Sequence, residues 1–189
     1  MDEQRLTYTK QELRQAGLAG RRGLSPEDRV EFDSRICEAL IQTPAFCNAN
    51  VIMAYRSFGG EVNVDAAADA AQARGKNVVY PCCTDKTTMV PLLPNGPHAW
   101  EKGRYGILAP IVCESCAIDP TKIDLVILPC AAFDDKGNRI GMGAGYYDRF
   151  LPRCINAKTI LVAYEAQRVE GIVPEATDVP ADCVITEAS

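Results

Sequence analysis

A short apolar run that ends abruptly before a glycine-rich segment constrains the fold of this chain more than any other feature. After Asp124 the run is continuously apolar rather than alternating, and it includes the β-branched residues Val126 and Ile127. That pattern is typical of a strand buried on both faces, as in a parallel sheet covered by helices. Pro129 ends the strand because it has no main-chain N–H to donate to the ladder. The sequence therefore predicts a covered, largely parallel sheet.

The glycine-rich segment has a composition that suits anion binding. Gly141, Gly143 and Gly145 are separated by Met142 and Ala144. Main-chain N–H groups at glycines can approach a phosphate without obstruction by Cβ, and glycine tolerates positive φ. The spacing is neither a Walker A loop nor the dinucleotide G-x-G-x-x-G pattern. A tight turn or close-packed glycines would also explain it, so the glycines alone leave both interpretations open.

Charged and aromatic residues on both sides of the glycines favour the phosphate interpretation. Arg139 precedes them, and Arg149 follows them. Residues 146–148 begin a predicted helix that extends over 147–155, and its N-terminus would contribute the positive end of the helix dipole. We therefore predict a nucleotide site on a fold that uses neither standard glycine motif.

Length, charge and composition exclude several classes of protein. With 189 residues, 47% of them hydrophobic and 24% charged, the chain is expected to form a single domain over residues 1–189. A net charge of −5 argues against non-specific nucleic-acid binding, which needs a basic face. There is no apolar signal core and no apolar run approaching the roughly 20 residues that span a bilayer. We expect a cytoplasmic protein that binds neither nucleic acid nor membrane.

The nine cysteines do not suggest a disulfide framework, because their number is odd and their spacing irregular. Reduced, partly buried thiols are the expectation. Cys113 and Cys116 form a C-x-x-C pair, but a zinc site would need two further ligands.

The first predicted helix brings two cations onto one face. Thr9 and Glu12 form a capping box for a helix over residues 10–22, which Gly23 ends at the C′ position. Lys10 and Arg14 then lie one turn apart. The ordinary interpretation of such a pair is a solvated basic stripe. The alternative is that the pair binds the same anionic ligand as the glycine segment.

The remaining pattern alternates strands with helices. A helix capped by Ser25 over residues 26–42 presents an apolar stripe that includes Val30, and Asp65 caps a helix over 66–74. Residues 94–119 are rich in loops and form either a pocket wall or a connector. Further strands are predicted over residues 50–55, 77–81, 88–93, 159–164 and 183–186. The expected fold is an α/β, Rossmann-like, three-layer domain with a largely parallel, mixed sheet flanked by helices.

The strand over residues 50–55 delivers Arg56 and Glu61 to its carboxyl end. Ligands bind at that edge in open α/β sheets. The sequence leaves two interpretations of Glu61 open: it contacts a ligand at this edge, or it is simply a solvated carboxylate.

Residues 133–151, F-D-x-x-G-N-R-I-G-x-G-x-G-Y-Y-D-R-F-L, resemble the signature of the 5-formyltetrahydrofolate cyclo-ligase family, also called methenyltetrahydrofolate synthetases. The resemblance runs nearly from end to end. It includes Lys10, Leu13 and Arg14, the pair Glu61-Val62, the G-x-Y-G-I segment at 103–107, V-P-x-x-x-D at 173–178 and I-T-E at 185–187.

The sequence departs from the family pattern at four sites, which comprise five residues. Asn63-Val64 replaces Asp-Thr, and Ala109 replaces the glutamate of Glu-Pro. Cys130 occupies a position where glycine is frequent, and Ala144 one where glycine or lysine is frequent. The first two departures bear on the folate side rather than on nucleotide binding.

The resemblance implies an ATP-dependent ligase that closes the ring of 5-formyltetrahydrofolate to give 5,10-methenyltetrahydrofolate, with Mg²⁺ accompanying ATP. ATP would phosphorylate the formyl oxygen, N10 would attack the activated carbon, and phosphate would leave. This fits the need of phosphoryl transfer for positioning and charge neutralisation. We expect small-molecule substrates as the only partners, and a monomer.

Site residues follow from the same resemblance. For ATP they are Lys10, Gln11, Glu12, Leu13 and Arg14 with Gly141, Met142, Gly143, Ala144, Gly145, Tyr146, Tyr147, Asp148 and Arg149. For folate they are Arg56, Glu61, Tyr146 and Tyr147. For the metal they are Asp148 and Asp178; the alternative is that Asp148 caps its helix and Asp178 forms a turn. For catalysis they are Arg149 and Tyr147.

Two rivals remain at this stage. One is a sugar-phosphate isomerase or acyl-CoA transferase on the same architecture, which would turn over without ATP. The other is a non-catalytic folate- or nucleotide-binding protein, which would bind ligand without releasing phosphate.

Overall fold

The computed structural model describes residues 8–96, 98–103 and 106–189. Arg104 and Tyr105 of the G-x-Y-G-I segment therefore lie outside the described residues. The helices are α1 (Lys10–Gly23), α2 (Pro26–Gln42), α3 (Pro44–Asn48), α4 (Asp65–Ala73) and α5 (Tyr146–Phe150). The strands are β1 (Val51–Met53), β2 (Asn77–Cys83), β3 (Met89–Pro94), β4 (Trp100–Lys102), β5 (Leu108–Pro110), β6 (Ser115–Ala117), β7 (Leu125–Leu128), β8 (Ala132–Phe133), β9 (Arg139–Ile140), β10 (Lys158–Val162) and β11 (Cys183–Ile185).

Seven strands form the central sheet in the order β11-β10-β7-β1-β2-β3-β6. The strands from β11 to β2 run parallel to one another, whereas β3 and β6 add antiparallel pairs at one edge. The predicted mixed, largely parallel sheet is confirmed. Two small antiparallel pairs, β4 with β5 and β8 with β9, stand apart from it.

Successive residues of the central strands enter two different hydrophobic cores. Ile52 and Ile127 pack with α2 and α4 residues such as Leu40 on one face. Met53 and Leu128 pack on the other face with the segment around α5. Because both faces of the strands are buried, their sequences are continuously apolar, and the predicted three-layer α/β arrangement is confirmed.

Close contact with main chain seats α1 against the sheet. A Cβ added at Gly17 would lie 2.3 Å from the carbonyl oxygen of Ala131, and one at Gly20 would lie 1.9 Å from that of Ala166. The helix can approach this closely only because both positions are glycine. The predicted capping box of Thr9 and Glu12 is present at its first turn.

Some local predictions were wrong. Val30 is 73% exposed, so it does not belong to the buried stripe of α2. Gly23 is the last residue of α1 rather than its C′ residue. Val64 stands at the N-cap of α4, and Asp65 lies in the first turn, where its carboxylate pairs with Arg56 instead of capping.

Element ends were also misjudged where strands or helices are short. The helix predicted over 147–155 is α5 followed by a 3-10 turn over Leu151–Arg153. The loop-rich stretch 94–119 contains β4, β5 and β6. Within the described ranges, no helix is long and apolar enough to cross a membrane.

Candidate functional site

A cleft of about 590 Å³ opens at the carboxyl ends of β1, β2 and β7. This is the edge at which open α/β sheets bind ligands, and the volume suits a small organic molecule. Predicted site residues that line it are Arg56, Glu61, Gly141, Met142, Ala144, Gly145, Tyr146, Tyr147 and Asp148. Lining residues that sequence reasoning left out of the site include Tyr55, Tyr80, Cys83, Leu108, Ala109, Cys130 and Arg139.

The glycine segment forms an open loop between β9 and α5. Gly143 has φ of 98° and Gly145 has φ of 66°, so both occupy conformations that favour glycine. Gly145 is the N-cap of α5 and makes no side-chain cap. Met142 is 59% exposed beside the cleft. Residues 142–144 of the loop are exposed, and phosphate binding by their main chain stays a prediction.

Arg14 approaches this loop from α1, and Lys10, one turn earlier on the helix, pairs with the segment over residues 175–178. The Nε of Arg14 donates to the carbonyl oxygen of Gly141 at 2.8 Å. The Nζ of Lys10 lies 2.6 Å from Oδ2 of Asp178 and 3.0 Å from Oε1 of Glu175. Partial burial opposes the charge of Lys10, but the hydrogen bonds to Asp178 and Glu175 outweigh it and raise the pKa of Lys10. Both cations are thus already bound to acceptors of the protein.

The three residues between these cations serve the helix itself. The Oε1 of Gln11 accepts a hydrogen bond from Nη1 of Arg14 at 2.6 Å. Glu12 completes the capping box with Thr9, and Leu13 is buried among apolar side chains. A direct ATP contact of these three side chains remains untested.

Arg139 is the most deeply buried cation of the cleft wall. Its side chain is 4% exposed, and its Nη2 lies 2.6 Å from Oδ1 of Asp148. Its guanidinium carbon lies 5.7 Å from the ring centroid of Tyr147. Burial raises the pKa of Tyr147, and the nearby charge of Glu61 adds to that shift. Its position just before the glycines was the sequence signal that could have identified Arg139 as a residue of the site.

Arg149 and Tyr146 hold the loop in place. The Nη2 of Arg149 donates to the carbonyl oxygen of Ala144 at 2.7 Å, and its Nε donates to that of Thr87 at 3.1 Å. The hydroxyl of Tyr146 donates to the carbonyl oxygen of Asp85 at 2.7 Å. Among the described residues that line the cleft, Tyr146 appears but Arg149 does not.

The loop that carries Glu61 is fixed by hydrogen bonds. The main-chain N–H of Phe58 donates to Oε2 of Glu61 at 3.0 Å. The buried hydroxyl of Tyr55 donates to the carbonyl oxygen of Val62 at 2.8 Å. Burial raises the pKa of Glu61, while the hydrogen bond from Phe58 and the charge of Arg21 act in the opposite sense. The carboxylate is therefore a preformed acceptor inside the cleft.

Arg56 is enclosed by aromatic rings and a carboxylate. Its guanidinium carbon lies 4.3 Å from the centroid of Trp100 and 4.9 Å from that of Tyr80. Its Nη1 lies 2.6 Å from Oδ1 of Asp65. Stacking and pairing together hold the guanidinium at the cleft wall.

The departures from the family pattern lie in several parts of the structure, and Ala144 belongs to the glycine loop. The N–H of Asn63 donates to Oδ1 of Asp33 at 3.1 Å, and Val64 is buried. Ala109 and Cys130 both line the cleft. Burial raises the pKa of Cys130 to about 12, so it is a neutral thiol at physiological pH.

The two predicted metal carboxylates are each engaged by a cation, Asp148 by Arg139 and Asp178 by Lys10. Within the described ranges, no group of three or more His, Cys, Asp or Glu residues could hold a metal ion. Asp178 also accepts from the N–H of Glu175 at 2.8 Å, which is the turn foreseen for it. The buried cysteines Cys37, Cys130 and Cys154 are free thiols.

The sequence profile of the 5-formyltetrahydrofolate cyclo-ligase family matches residues 6–187. A 5-formyltetrahydrofolate cyclo-ligase of Haemophilus influenzae is 30% identical over 180 residues, covering 92% of this chain and 95% of the relative. The NMR structure of Aquifex aeolicus 5,10-methenyltetrahydrofolate synthetase superposes with a TM-score of 0.83 at 29% identity, covering 95% and 90% of the two chains. A 5,10-methenyltetrahydrofolate synthetase from Mycoplasma pneumoniae shares the fold, with a TM-score of 0.78 at 24% identity over 95% and 99%.

Proposed function

The chain belongs to the 5-formyltetrahydrofolate cyclo-ligase family, and we propose that the cleft described above is where it carries out the family's reaction. It is a ligase that catalyses the ATP-dependent conversion of 5-formyltetrahydrofolate to 5,10-methenyltetrahydrofolate. One observation carries the assignment of the site: the glycine loop and the Glu61 loop line one cleft at the carboxyl edge of the sheet.

The glycine loop binds the triphosphate of ATP. Its exposed main chain from Gly141 to Gly145 can donate N–H groups to phosphate oxygens, and Lys10 and Arg14 stand beside it. Binding requires Lys10 to exchange its protein carboxylates for phosphate oxygens. The cost of that exchange is moderate because Lys10 and its partners are partly solvated.

Glu61 binds the reduced pterin. Its carboxylate accepts hydrogen bonds from N–H groups of the ring, and Tyr147 and Tyr146 present aromatic surface to the flat ligand. Arg56 completes this part of the wall between Tyr80 and Trp100.

The chemistry needs positioning rather than a covalent nucleophile. The formyl oxygen attacks the γ-phosphorus of ATP, and the bond to ADP breaks. N10 then attacks the activated carbon, loses its proton, and phosphate departs with the former formyl oxygen. Arg149 offsets charge on the transferred group once it leaves the Ala144 carbonyl, and Tyr147 aligns the pterin.

Mg²⁺ enters as part of the nucleotide substrate. Asp148 and Asp178 are the protein carboxylates that would hold it beside the phosphates, and each would first have to release the cation with which it is paired. Few carboxylates are available, so the phosphates supply most of its ligands, as is usual for Mg²⁺ at nucleotide sites.

The enzyme acts as a monomer in the cytoplasm, with residues 1–189 forming one domain. Size-exclusion chromatography with light scattering tests the first part of this proposal.

One assay tests the reaction. The protein is mixed with 5-formyltetrahydrofolate, Mg²⁺ and ATP, and the methenyl chromophore and ADP are followed together. Equal amounts of both are expected. Turnover without ATP would indicate an isomerase or transferase, and ligand binding without phosphate release would indicate a non-catalytic protein.

A further inference from the structure

The buried stripe of α1 ends in a charge. Leu13, Gly17 and Arg21 recur every four residues on its inner face, and Arg21 is only 3% exposed. Its Nη1 donates to the carbonyl oxygen of Cys130 at 3.3 Å, while its Nε has no hydrogen-bond partner. Within the described part of the chain, no carboxylate oxygen lies within 4.0 Å of its nitrogens. A buried guanidinium without a direct ion pair is costly, so its retention needs a reason.

Arg21 lies beneath the turn that leads to Glu61. A Cβ added at Gly59 would be 3.6 Å from Nη2 of Arg21, and one at Gly60 would be 2.8 Å from Nη1 of Arg29. The Nη2 of Arg29 in turn donates to the carbonyl oxygen of Arg21 at 2.9 Å. Both glycines have positive φ, 59° and 81°. The turn therefore rests on two guanidinium groups: a Cβ at position 59 would be in van der Waals contact with Arg21, and a Cβ at position 60 would displace Arg29.

The charge of Arg21 reaches Glu61. The groups that act electrostatically with this carboxylate are Tyr55, Cys130 and Tyr147, all neutral at physiological pH, and the cation Arg21. Burial alone favours the neutral acid at Glu61, and Arg21 opposes it. Only the ionised carboxylate offers all of its oxygen lone pairs to N–H donors.

We propose that Arg21 is a positioning residue for folate: its buried guanidinium supports the Gly59–Gly60 turn and holds Glu61 as a carboxylate acceptor. The inference rests on the proposed function, because it assumes that Glu61 binds the pterin. It also gives α1 a role at both ends of the cleft. Arg14 meets the glycine loop, and Arg21 meets the Glu61 loop about 10 Å further along the helix at 1.5 Å per residue.

Two substitutions separate charge from shape. Arg21→Gln keeps a donor for the Cys130 carbonyl but removes the charge, whereas Arg21→Lys keeps the charge. Arg22→Gln is the matched control, since Arg22 is the exposed neighbour that bonds only its own helix. The readouts are binding of 5-formyltetrahydrofolate without ATP by calorimetry, the two KM values, the pH profile of kcat/KM and the melting temperature.

Arg21→Gln is expected to weaken folate binding and raise the folate KM by about tenfold, in the range found for the loss of one interaction with a charged group. The ATP KM should stay unchanged, and the acid limb of the profile should move to higher pH. Arg21→Lys should restore most of the folate affinity, and Arg22→Gln should match the wild type. If Arg21→Gln does not fold, Arg21→Lys decides the question, because loss of folate binding in a folded Lys variant overturns the proposal.

Equal losses in the Gln and Lys variants, or equal rises in both KM values, would mean that Arg21 only seats the helix, and the proposal would fail. If the wild-type protein binds the folate but does not convert it, the ligase function is overturned. The comparison of folate binding between the wild type and the Arg21 variants still decides the role of Arg21. A wild type that binds no folate would overturn both.

Discussion

At the glycine end of the cleft, Lys10, Arg14 and Arg149 donate to acceptors that the protein itself supplies, whereas at the proposed folate end Glu61 rests in a hydrogen-bonded turn that buried side chains support. The acceptors at the first end are exchangeable: Glu175 is 69% exposed, and Gly141 and Ala144 offer main-chain oxygens. The support at the second end is fixed, since Tyr55 and Arg21 are both buried.

The difference teaches how one cleft can serve two unlike ligands. A triphosphate brings its own charge and solvation, so the protein can keep its cations temporarily neutralised and exchange partners on binding. A neutral pterin ring brings little charge, so its acceptor has to be in place beforehand. The following variants test that contrast, in order of decreasing expected effect.

Glu61→Ala should give the largest loss, because pterin N–H groups would be buried without an acceptor. We expect kcat/KM for 5-formyltetrahydrofolate to fall roughly a hundredfold with little change in the ATP KM. Steady-state kinetics with each substrate varied in turn measures this. A selective rise in the ATP KM would reverse the division of the cleft.

Gly17→Ala should disturb both ends of the cleft, because α1 carries Arg14 to the glycine loop and Arg21 to the Glu61 loop. Its Cβ would meet the Ala131 carbonyl oxygen at 2.3 Å, and overpacking of this kind costs about 1–3 kcal/mol of folding free energy. Gly23→Ala is the control, since nothing lies within 4 Å there and alanine favours a helix by up to about 1 kcal/mol. Urea denaturation of the two variants should give opposite signs; two stabilised proteins would show that α1 is not tightly seated.

Lys10→Ala and Arg14→Ala should each raise the ATP KM by about tenfold, the loss typical of one charge-assisted hydrogen bond. The folate KM should change little. Lys158→Ala, an exposed lysine at the start of β10, controls for net charge. Equal effects on both substrates would contradict a separate phosphate end.

Glu175→Gln should act in the opposite direction and improve ATP use. It removes an exposed competitor for Lys10, so we expect the ATP KM to fall about two- to threefold, in line with the modest strength of exposed ion pairs. Glu170→Gln, also exposed, is the matched control. An unchanged or higher ATP KM would mean that Glu175 helps to place Lys10 rather than compete for it.

Features that depend on neighbouring residues could be predicted from the sequence. The Thr9 capping box and the continuously apolar strand β7 each depend on only a few consecutive residues, and both were confirmed. The largely parallel sheet followed from the alternation of strands with helices, whereas the order of its strands was not predicted. The family and its reaction followed from the motif over residues 133–151.

Features that depend on distant partners could not be predicted. Nothing near Arg21 in the sequence indicates that it lies under Gly59, and the stacking of Arg56 on Trp100 joins segments far apart in the chain. The hairpin of β8 and β9 was missed because each strand has two residues, too few for a period to be visible. Val30 fits a helical stripe but projects beyond the core that α2 covers.

The bond between Lys10 and Asp178 joins positions 168 residues apart. During synthesis the ribosome makes α1 long before it makes the partner of Lys10. A nascent chain that has not yet reached Asp178 lacks this bond, so the phosphate end proposed for the cleft is completed later than the helix that supplies its cations.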